Sequence, residues 1–282
     1  MPASTPIQTS ASLAELKGLI VLVGGGKMGG ALLQGWLRLG LEPARVVVLD
    51  PEPSEAVTQL IKNGVRINPD KGKLGPASTI VLAVKPQVAA SVLPGLKDVA
   101  GPDTLVLSIM AGKTLAFLEA GLPRAAAVRA MPNTPASIGR GITVAVAGAQ
   151  TSAAQRDAAE RLLAAVGAVE WVNDEGLLDA VTAVSGSGPA YVFLLAESLA
   201  KAGEAAGLPA ALSAKLARLT VSGSGELLFQ SGLEPAQLRA NVTSPAGTTA
   251  AALSVLMADQ GLDHLIEQAV GAATRRSREL AS

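Results

Sequence analysis

The sequence predicts a two-part chain, with an N-terminal doubly wound α/β sheet followed by an all-helical C-terminal domain. Over residues 17–170, short apolar strand-like runs alternate with helix-like runs, which is the pattern of βαβ units. A glycine-rich turn follows the first strand-like run. From Asp174 onward only long helical runs rich in alanine and leucine occur. The predicted boundaries are 1–16 for a mobile N-terminal tail, 17–170 for the sheet domain and 171–282 for the helical domain.

The predicted strands are almost continuously apolar, which favours a parallel sheet that helices cover on both faces. In the run after the second strand, Ser54 is a predicted helix cap and Gly64 a predicted helix stop. The later helices are predicted to break at SGSGP, GLP, SGLEP, TSPAGTT and DQGL. In chain order the predicted strands are LIVLV, RVVVLD, VRIN, STIVLAV, TLVLSIM, AAAVRAMP, GITVAVA and VEWV, and the helices between them include ALLQGWLRL, PSEAVTQLIKNG, QVAASVLPGL, AFLEA and AAQRDAAERLLAAVG.

The turn after the first strand carries three glycines spaced as G-x-G-x-x-G. Gly24 allows a tight turn, Gly26 leaves room for phosphates beside bare backbone, and Gly29 lets the helix pack close to the strand. This spacing alone is weak evidence for a nucleotide site, because it can recur by chance in a chain with 30 glycines. Asp50 strengthens it, because a carboxylate at the end of the second strand is placed to bind a ribose 2′-hydroxyl. A Rossmann-type dinucleotide site is predicted, with contacts from Gly24, Gly26, Lys27, Met28, Gly29 and Asp50.

Three later strands end in segments rich in turn-forming residues. STIVLAV is followed by KPQ, TLVLSIM by AGK and AAAVRA by MPNTP. In a doubly wound sheet the ligand lies beyond the carboxyl ends of the strands. Any one of these segments is explained equally well as a simple turn. Because all three converge on one edge, we expect them to wall the nicotinamide, with the Asn133 amide available to its carboxamide. The predicted contacts at this edge are Ala83, Val84, Lys85, Pro86, Ala111 and Asn133.

Composition excludes several classes of site. Lysine plus arginine equals aspartate plus glutamate at 23 each, so a nucleic-acid partner is not expected. The chain has no cysteine and only one histidine, His264, so we expect no disulfide, no cysteine nucleophile and no histidine metal cluster. A cofactor must therefore supply the chemistry. The first residues lack the basic and apolar regions of a signal peptide, which predicts a cytoplasmic location.

Hydrophobic residues make up 49% of the chain and charged residues 16%, which raises the question of a membrane. Two long uncharged runs, 180–196 and 240–258, contain SGSGP in one and several hydroxyl residues in the other. Neither resembles a spanning helix of about 20 apolar residues. We therefore expect no membrane partner, and an apolar helical core shared between the subunits of an obligate homo-oligomer.

The segment NVTSPAGTTA is the sharpest feature of the helical half. Ser244 is predicted as an N-cap and Pro245 as the first helical residue, which would turn the following amides toward a ligand carboxylate. An ordinary helix cap is the commoner explanation of Ser-Pro, but Gly247 and two threonines favour a binding site. SGSGP likewise places two glycines and a proline inside a helical run, where a ligand or partner helix approaching the backbone would explain them.

These motifs together resemble the pyrroline-5-carboxylate reductase family over nearly the whole chain after residue 16. The carrying segments are the glycine loop, Lys85-Pro86, RAMPNTP, SGSGPAY and TSPAGTT. The resemblance implies a Rossmann domain, a helical dimerisation domain that interlocks in a homodimer, often assembled into a homodecamer, and active sites at the dimer interface. It also implies that the substrate 1-pyrroline-5-carboxylate is bound by Ser187, Ser244, Gly247, Thr248 and Thr249, with the Thr249 hydroxyl as the catalytic hydrogen-bonding group at the ring nitrogen.

Two departures from the family pattern matter. Where the family usually has SPGGTT, this chain has Ala246 in place of the first glycine; at a second helical position alanine is tolerated, so the carboxylate site is expected to survive. At the end of the second strand, members that prefer NADPH usually have small, polar or basic residues. Asp50 would repel a 2′-phosphate, so we predict NAD(P)H as cofactor with NADH favoured.

A protonated cyclic imine accepts hydride readily, so the reaction requires orientation against the nicotinamide rather than a metal or covalent nucleophile. One alternative is a related imine reductase or β-hydroxyacid dehydrogenase. The hydroxyacid enzymes need a helical lysine followed four residues later by asparagine, whereas here Lys201 is followed by Ala205. Another alternative is a dinucleotide sensor without turnover, which would not need a carboxylate-binding helix start.

Overall fold

The computed structural model describes residues 12–281 as two compact units. The sheet unit extends to Gly186 and takes in the end of the last helix from Ala273; the helical unit is Ser187–Ala272. The last strand ends at Trp171, one residue beyond the predicted end of the sheet domain. Fifteen further residues, including a short helix and a π-helical turn, belong to the sheet unit.

The elements follow the predicted order. The strands are β1 Leu19–Val23, β2 Val46–Leu49, β3 Arg66–Ile67, β4 Ala77–Leu82, β5 Leu105–Ser108, β6 Ala126–Met131, β7 Gly141–Ala147 and β8 Gly167–Trp171. The helices are α1 Lys27–Arg38, α2 Glu55–Gln59, α3 Ala89–Val92, α4 Leu115–Gly121, α5 Ala153–Ala164, α6 Leu177–Val181, α7 Gly188–Ala205, α8 Ala210–Ser231, α9 Pro235–Asn241, α10 Thr248–Leu256 and α11 Leu262–Ala281. A π-helical turn, Thr182–Gly186, separates α6 from α7.

The eight strands form one sheet in the order β3-β2-β1-β4-β5-β6-β7-β8. The first six strands are parallel, and β7 runs antiparallel to β6 before β8 pairs parallel to it. The prediction of a parallel sheet is therefore wrong for its last two strands. The physical reason lies in the connection: only nine residues, 132–140, link β6 to β7, and a parallel crossover needs a dozen or more residues.

Alternation along β1 explains how helices cover both faces of the sheet. Ile20 and Leu22 enter one core cluster with residues of α1 and α5, including the fully buried Trp36. Val21 and Val23 enter a second cluster with residues of α3 and α4. Successive strand side chains point to opposite faces, so a wholly apolar strand supplies both cores. The doubly wound prediction is confirmed.

Two predicted caps are found at α2. The Ser54 hydroxyl accepts a hydrogen bond from the Val57 amide at 3.4 Å, and Gly64 ends the segment in the left-handed region at φ 99°. The predicted helix near QVAASVLPGL is shorter than expected. Only α3 is α-helical, and 3-10 turns flank it, because Pro94 cannot donate the backbone hydrogen bond that would continue the helix.

The N-terminal tail is predicted over residues 1–16, of which 1–11 lie outside the described residues. The remainder is not a tail. Leu13 is fully buried in the core beside α1 and α5, and its amide donates to the Leu39 carbonyl at 2.8 Å. The predicted tail is therefore too long at its C-terminal end. The small and polar residues around Leu13 favoured a tail, but the burial of this one leucine anchors the chain to the core.

The helical unit exposes an unusually large apolar surface. Along α7, Phe193 is 63% exposed and Leu194 58%, and comparable exposure recurs at Leu219 of α8 and Val255 of α10. Many large apolar side chains exposed on one compact unit are typical of an interaction surface. The segment Leu177–Ala205 is also long and apolar enough to cross a membrane by length and composition alone, contrary to the expectation from sequence; a single such helix is weak evidence for a membrane.

Candidate active site

The predicted dinucleotide cradle is the glycine loop after β1. Gly24 has φ +99°, and a Cβ built on it would lie 2.6 Å from the Ala83 carbonyl oxygen. A Cβ on Gly29 would lie 2.1 Å from the Gly24 carbonyl oxygen, whereas a Cβ on Gly26 would have no atom within 4 Å. The first and third glycines are therefore required by close backbone contacts. The second, at the N-terminus of α1, borders open space of the kind a pyrophosphate occupies.

Asp50 lies beside this cradle. Its Oδ2 accepts a hydrogen bond from the Gly25 amide at 2.5 Å, and its Oδ1 accepts from the Glu52 amide at 2.8 Å. Asn68, the residue after β3, fixes the backbone of Asp50 by donating to its carbonyl at 2.6 Å and accepting from its amide at 2.9 Å. The carboxylate is thus held at the carboxyl end of β2 and keeps further lone pairs free to accept from a ribose.

The predicted nicotinamide wall is assembled by strand order. Strands β1, β4, β5 and β6 are adjacent and parallel, so their carboxyl ends lie along one edge of the sheet. This edge holds the glycine loop followed by Ala83, Val84, Lys85, Pro86, Ala111 and Asn133. Strand β2 is also parallel to β1, so all of the predicted cofactor contacts of the sheet domain, Asp50 included, follow strand ends on the same edge.

Asn133 is held by two hydrogen bonds within the protein. Its Oδ1 accepts from the Ile142 amide at 3.0 Å, and its Nδ2 donates to the Ser185 hydroxyl at 3.2 Å. The side-chain amide is therefore oriented by the protein, with one Nδ2 hydrogen left to donate. The sequence interpretation did not include Ser185 as a site residue. A signal was present in the SGSG run, whose first two residues end a π-helical turn, a feature frequent at functional sites.

The turn before α10 differs from the prediction at Ser244. The helix begins at Thr248 with Gly247 as its N-cap, so Ser244 is not the cap and Pro245 is not helical. Instead the Gly247 amide donates to the Ser244 carbonyl at 3.1 Å, with Pro245 second in the turn and Ala246 third at φ +58°. This is the geometry of a type II turn, which favours glycine at its third residue.

Ala246 is therefore in the left-handed region and not at the second helical position that we predicted. An L-residue pays about 1–2 kcal/mol there, which explains why a glycine would suit the position better. The turn shifts the free amides of the helix start to Thr248, Thr249 and Ala250, because the first amides of an α-helix have no acceptor within it. Both threonines of the predicted carboxylate site remain in this first turn.

Ser187 directly precedes α7, and its hydroxyl makes no capping hydrogen bond to that helix. The predicted substrate residues Ser187, Ser244, Gly247, Thr248 and Thr249 all belong to the helical unit, whereas the predicted cofactor residues all belong to the sheet unit. The two halves of the predicted chemistry are thus carried by different compact units. Among residues 12–281, no group of three histidine, cysteine, aspartate or glutamate side chains is arranged to hold a metal ion.

Comparison with known proteins gives similarity over both units. The family model described as pyrroline-5-carboxylate reductase dimerisation matches residues 175–280, and one described as NADP oxidoreductase, coenzyme F420-dependent, matches residues 19–112. The chain is 42% identical to the pyrroline-5-carboxylate reductase of Pseudomonas aeruginosa over 267 residues, covering 93% of this chain and 96% of the relative. It is 43% identical to the Synechocystis sp. enzyme of the same name over 264 residues, covering 92% and 97%.

Two solved structures agree over a similar span. A pyrroline-5-carboxylate reductase from Coxiella burnetii is 35% identical with a TM-score of 0.85, covering 94% of this chain and 99% of that one. The Plasmodium falciparum pyrroline carboxylate reductase, solved with NADP bound, is 29% identical with a TM-score of 0.78 and the same coverage of 94% and 99%.

Proposed function

The chain belongs to the pyrroline-5-carboxylate reductase family, and on that premise we propose which of its residues bind the cofactor and which bind the substrate. It is an NAD(P)H-dependent oxidoreductase that reduces the imine of 1-pyrroline-5-carboxylate in proline biosynthesis. We propose that the sheet unit holds the cofactor and that the start of α10 holds the substrate. The observation that best supports the first half is the open cradle at Gly26, between two glycines that close contacts require.

NAD(P)H supplies the hydride when it is bound. The residues of this chain would bind and orient the cofactor: the N-terminus of α1 would bind the pyrophosphate, and the segments after β4, β5 and β6 would contact the nicotinamide. The first amides of α10 and the hydroxyls of Thr248 and Thr249 bind the substrate carboxylate, with Ser187, Ser244 and Gly247 beside them. The Thr249 hydroxyl hydrogen-bonds the ring nitrogen. Orientation of two reactants in this way supplies a large part of a rate enhancement.

The basic test of function is turnover. Purified protein is expected to oxidise NADH when 1-pyrroline-5-carboxylate is added and to form proline. A protein that binds NADH without oxidising it would instead be a dinucleotide sensor. The same assay with NADPH measures the cofactor preference.

We propose that NADH is the preferred cofactor. The support is the hydrogen bond from the Gly25 amide to the Asp50 carboxylate, because it fixes a negative charge where a ribose 2′-substituent lies in a Rossmann site. That charge accepts from a 2′-hydroxyl and repels a 2′-phosphate. The Plasmodium structure contains NADP, but that cofactor is a property of a relative that is 29% identical to this chain.

Removing the charge of Asp50 is expected to reduce the preference for NADH over NADPH. We expect Asp50→Asn, which keeps the acceptor for Gly25, and Asp50→Ser each to lower the ratio of kcat/KM with NADH to that with NADPH by about tenfold, since repulsion between two charges close to the surface contributes on the order of 1–4 kcal/mol. Steady-state kinetics with both cofactors measure the ratio. Glu52→Gln is the matched control, because it removes one neighbouring charge outside the Gly25 hydrogen bond. A wild-type ratio below one would overturn the preference.

Thr249 provides a test of the substrate half. We expect Thr249→Ala to lower kcat/KM for 1-pyrroline-5-carboxylate about tenfold or more, because a hydrogen bond to a charged group contributes about 1.5–3 kcal/mol. KM for NADH should stay within about twofold, since the cofactor contacts lie in the other unit. Initial rates with each substrate varied in turn measure both constants.

Two variants sharpen this test. Thr249→Ser keeps the hydroxyl and should retain most of the activity, and Thr220→Ala makes the same change at an exposed position of α8. Unchanged kinetics in Thr249→Ala would remove this residue from the site.

We propose a homodimer as the smallest active form, with a homodecamer of five dimers as the larger assembly. The exposed apolar faces of α7, α8 and α10 support an interface between copies, in the region that matches a dimerisation family model. The same interface would cover the apolar segment Leu177–Ala205 without a membrane. We further propose a cytoplasmic location, with no nucleic-acid or membrane partner.

A further inference from the structure

A partly buried ion pair links β6, the strand that leads to Asn133, to the segment before α6. Arg129 of β6 is only 5% exposed, and its Nη1 donates to Glu175 Oε1 at 2.8 Å. An arginine buried in a sheet requires a partner for its charge. Glu175 supplies that charge from the segment between β8 and α6, so the pair joins two parts of the chain separated by 46 residues.

Glu175 makes a second contact with the same oxygen. Its Oε1 also accepts from the amide of Leu115, the first residue of α4, at 2.8 Å. A carboxylate at a helix N-terminus is favourable both as a hydrogen-bond acceptor and through the helix dipole. Leu115 closely follows Ala111, which is part of the proposed nicotinamide wall. One carboxylate oxygen therefore joins the segment after β5 to strand β6.

The segment that begins at Glu175 makes a second contact, with a residue just beyond the end of β6. It continues through α6 into the π-helical turn Thr182–Gly186, where the Ser185 hydroxyl accepts from Asn133 Nδ2 at 3.2 Å. Asn133 comes four residues after Arg129 along the chain. The segment from Glu175 to Ser185 is thus fixed at both of its ends to the same stretch, once by the ion pair and once by the amide.

We propose that the Arg129–Glu175 pair positions the nicotinamide-walling segments for hydride transfer, with Glu175 as a positioning residue that does not touch the substrate. This inference rests on the proposed function, because it takes Ala111 and Asn133 to face the nicotinamide. The adenosine half of the cofactor contacts the glycine loop and Asp50 at β1 and β2, which the pair does not touch. Loss of the pair should therefore slow the reaction while leaving that half of the binding site intact.

The test separates these two halves with ADP-ribose, which carries the adenosine and pyrophosphate but lacks the nicotinamide. We expect Glu175→Ala to lower kcat for 1-pyrroline-5-carboxylate reduction at least tenfold. The dissociation constant for ADP-ribose, measured by calorimetry, should change less than twofold. The kinetic isotope effect with NADH deuterated at the transferred position should rise, because misplacement slows the hydride step in particular.

Two further variants complete the comparison. Glu175→Gln keeps an acceptor oxygen for Leu115 but loses the charge, so kcat should fall three- to tenfold with unchanged affinity for ADP-ribose. Asp157→Ala is the matched control, because it removes the carboxylate that pairs with Arg161 at 3.7 Å elsewhere in the sheet unit; its kcat should stay within twofold of the wild type. If Glu175→Ala does not fold, Glu175→Gln decides the question.

Three outcomes would overturn the proposal. One is a kcat within twofold of the wild type in Glu175→Ala, or in Glu175→Gln where only that variant folds. Another is a loss of ADP-ribose affinity as large as the loss of kcat, and the last is an isotope effect that does not rise. A wild-type protein that fails to oxidise NADH with this substrate would instead contradict the proposed function, so the two failures are distinguishable.

Discussion

Replacing Gly26 by alanine is expected to weaken NADH binding at least tenfold while leaving the melting temperature within about 2 °C of the wild type. The fold tolerates the change, because Gly26 has an ordinary φ of −69° and a built Cβ meets no atom within 4 Å. The proposed ligand does not tolerate it, since the same space would hold the pyrophosphate against bare backbone. Calorimetry with NADH and thermal unfolding of the free protein measure the two quantities.

Neighbouring glycines provide the comparison for this prediction. Gly29→Ala should lower the melting temperature as well as affinity, because its Cβ would lie 2.1 Å from the Gly24 carbonyl oxygen. Gly75→Ala is the neutral control, since a Cβ there also meets no atom within 4 Å and the residue lies before β4, away from the strand ends. Full NADH affinity in Gly26→Ala would mean that the cradle does not hold the phosphates.

Replacing Phe193 by glutamate is expected to convert the proposed dimer into monomers and to reduce activity at least tenfold. Phe193 is 63% exposed on α7 in the single chain, and Leu194 beside it is 58% exposed. An unpaired carboxylate buried in an apolar interface costs about 3–5 kcal/mol, which raises the dissociation constant by a factor on the order of 100 to 4000. Light scattering coupled to size exclusion measures the molar mass, and NADH oxidation measures the activity.

The control for this variant makes the same change outside the helical unit. Ile61 is 52% exposed in the sheet unit, and Ile61→Glu should keep the molar mass of the wild type. A Phe193→Glu protein that keeps the wild-type mass at micromolar concentration would show that this face of α7 is not part of the interface.

The strands and the edge they share were predictable because each carries a local signal. An apolar run of five residues before G-x-G-x-x-G fixes β1, the cradle and the start of α1 together, since the glycines serve contacts within one βα unit. Asp50 follows from the same unit by its distance along the chain. The reversal of β7 was not predicted from apolar content, because antiparallel and parallel strands share that content; the length of the link after β6 carried the information.

The start of α10 shows a different limit. Ser-Pro fits two local structures, a helix cap followed by a helical proline and the first half of a type II turn. The structure has the turn, with Ala246 at positive φ. A glycine at this residue would have indicated the turn in the sequence, but alanine does not. Ser185 was likewise missed, because nothing in the sequence marks a serine as the partner of Asn133, 52 residues earlier.

By itself, the sequence determined the order of the elements, the glycine loop after β1, the family and the position of Asp50 at the end of β2. These depend on interactions between residues close in the chain, which leave a pattern of spacing and residue type. Only the tertiary structure decided that Leu13 belongs to the core, that Asn133 is oriented by Ile142 and Ser185, and that Glu175 joins Arg129 to the start of α4. Such contacts connect segments distant along the chain, and the sequence records each partner without recording the pairing.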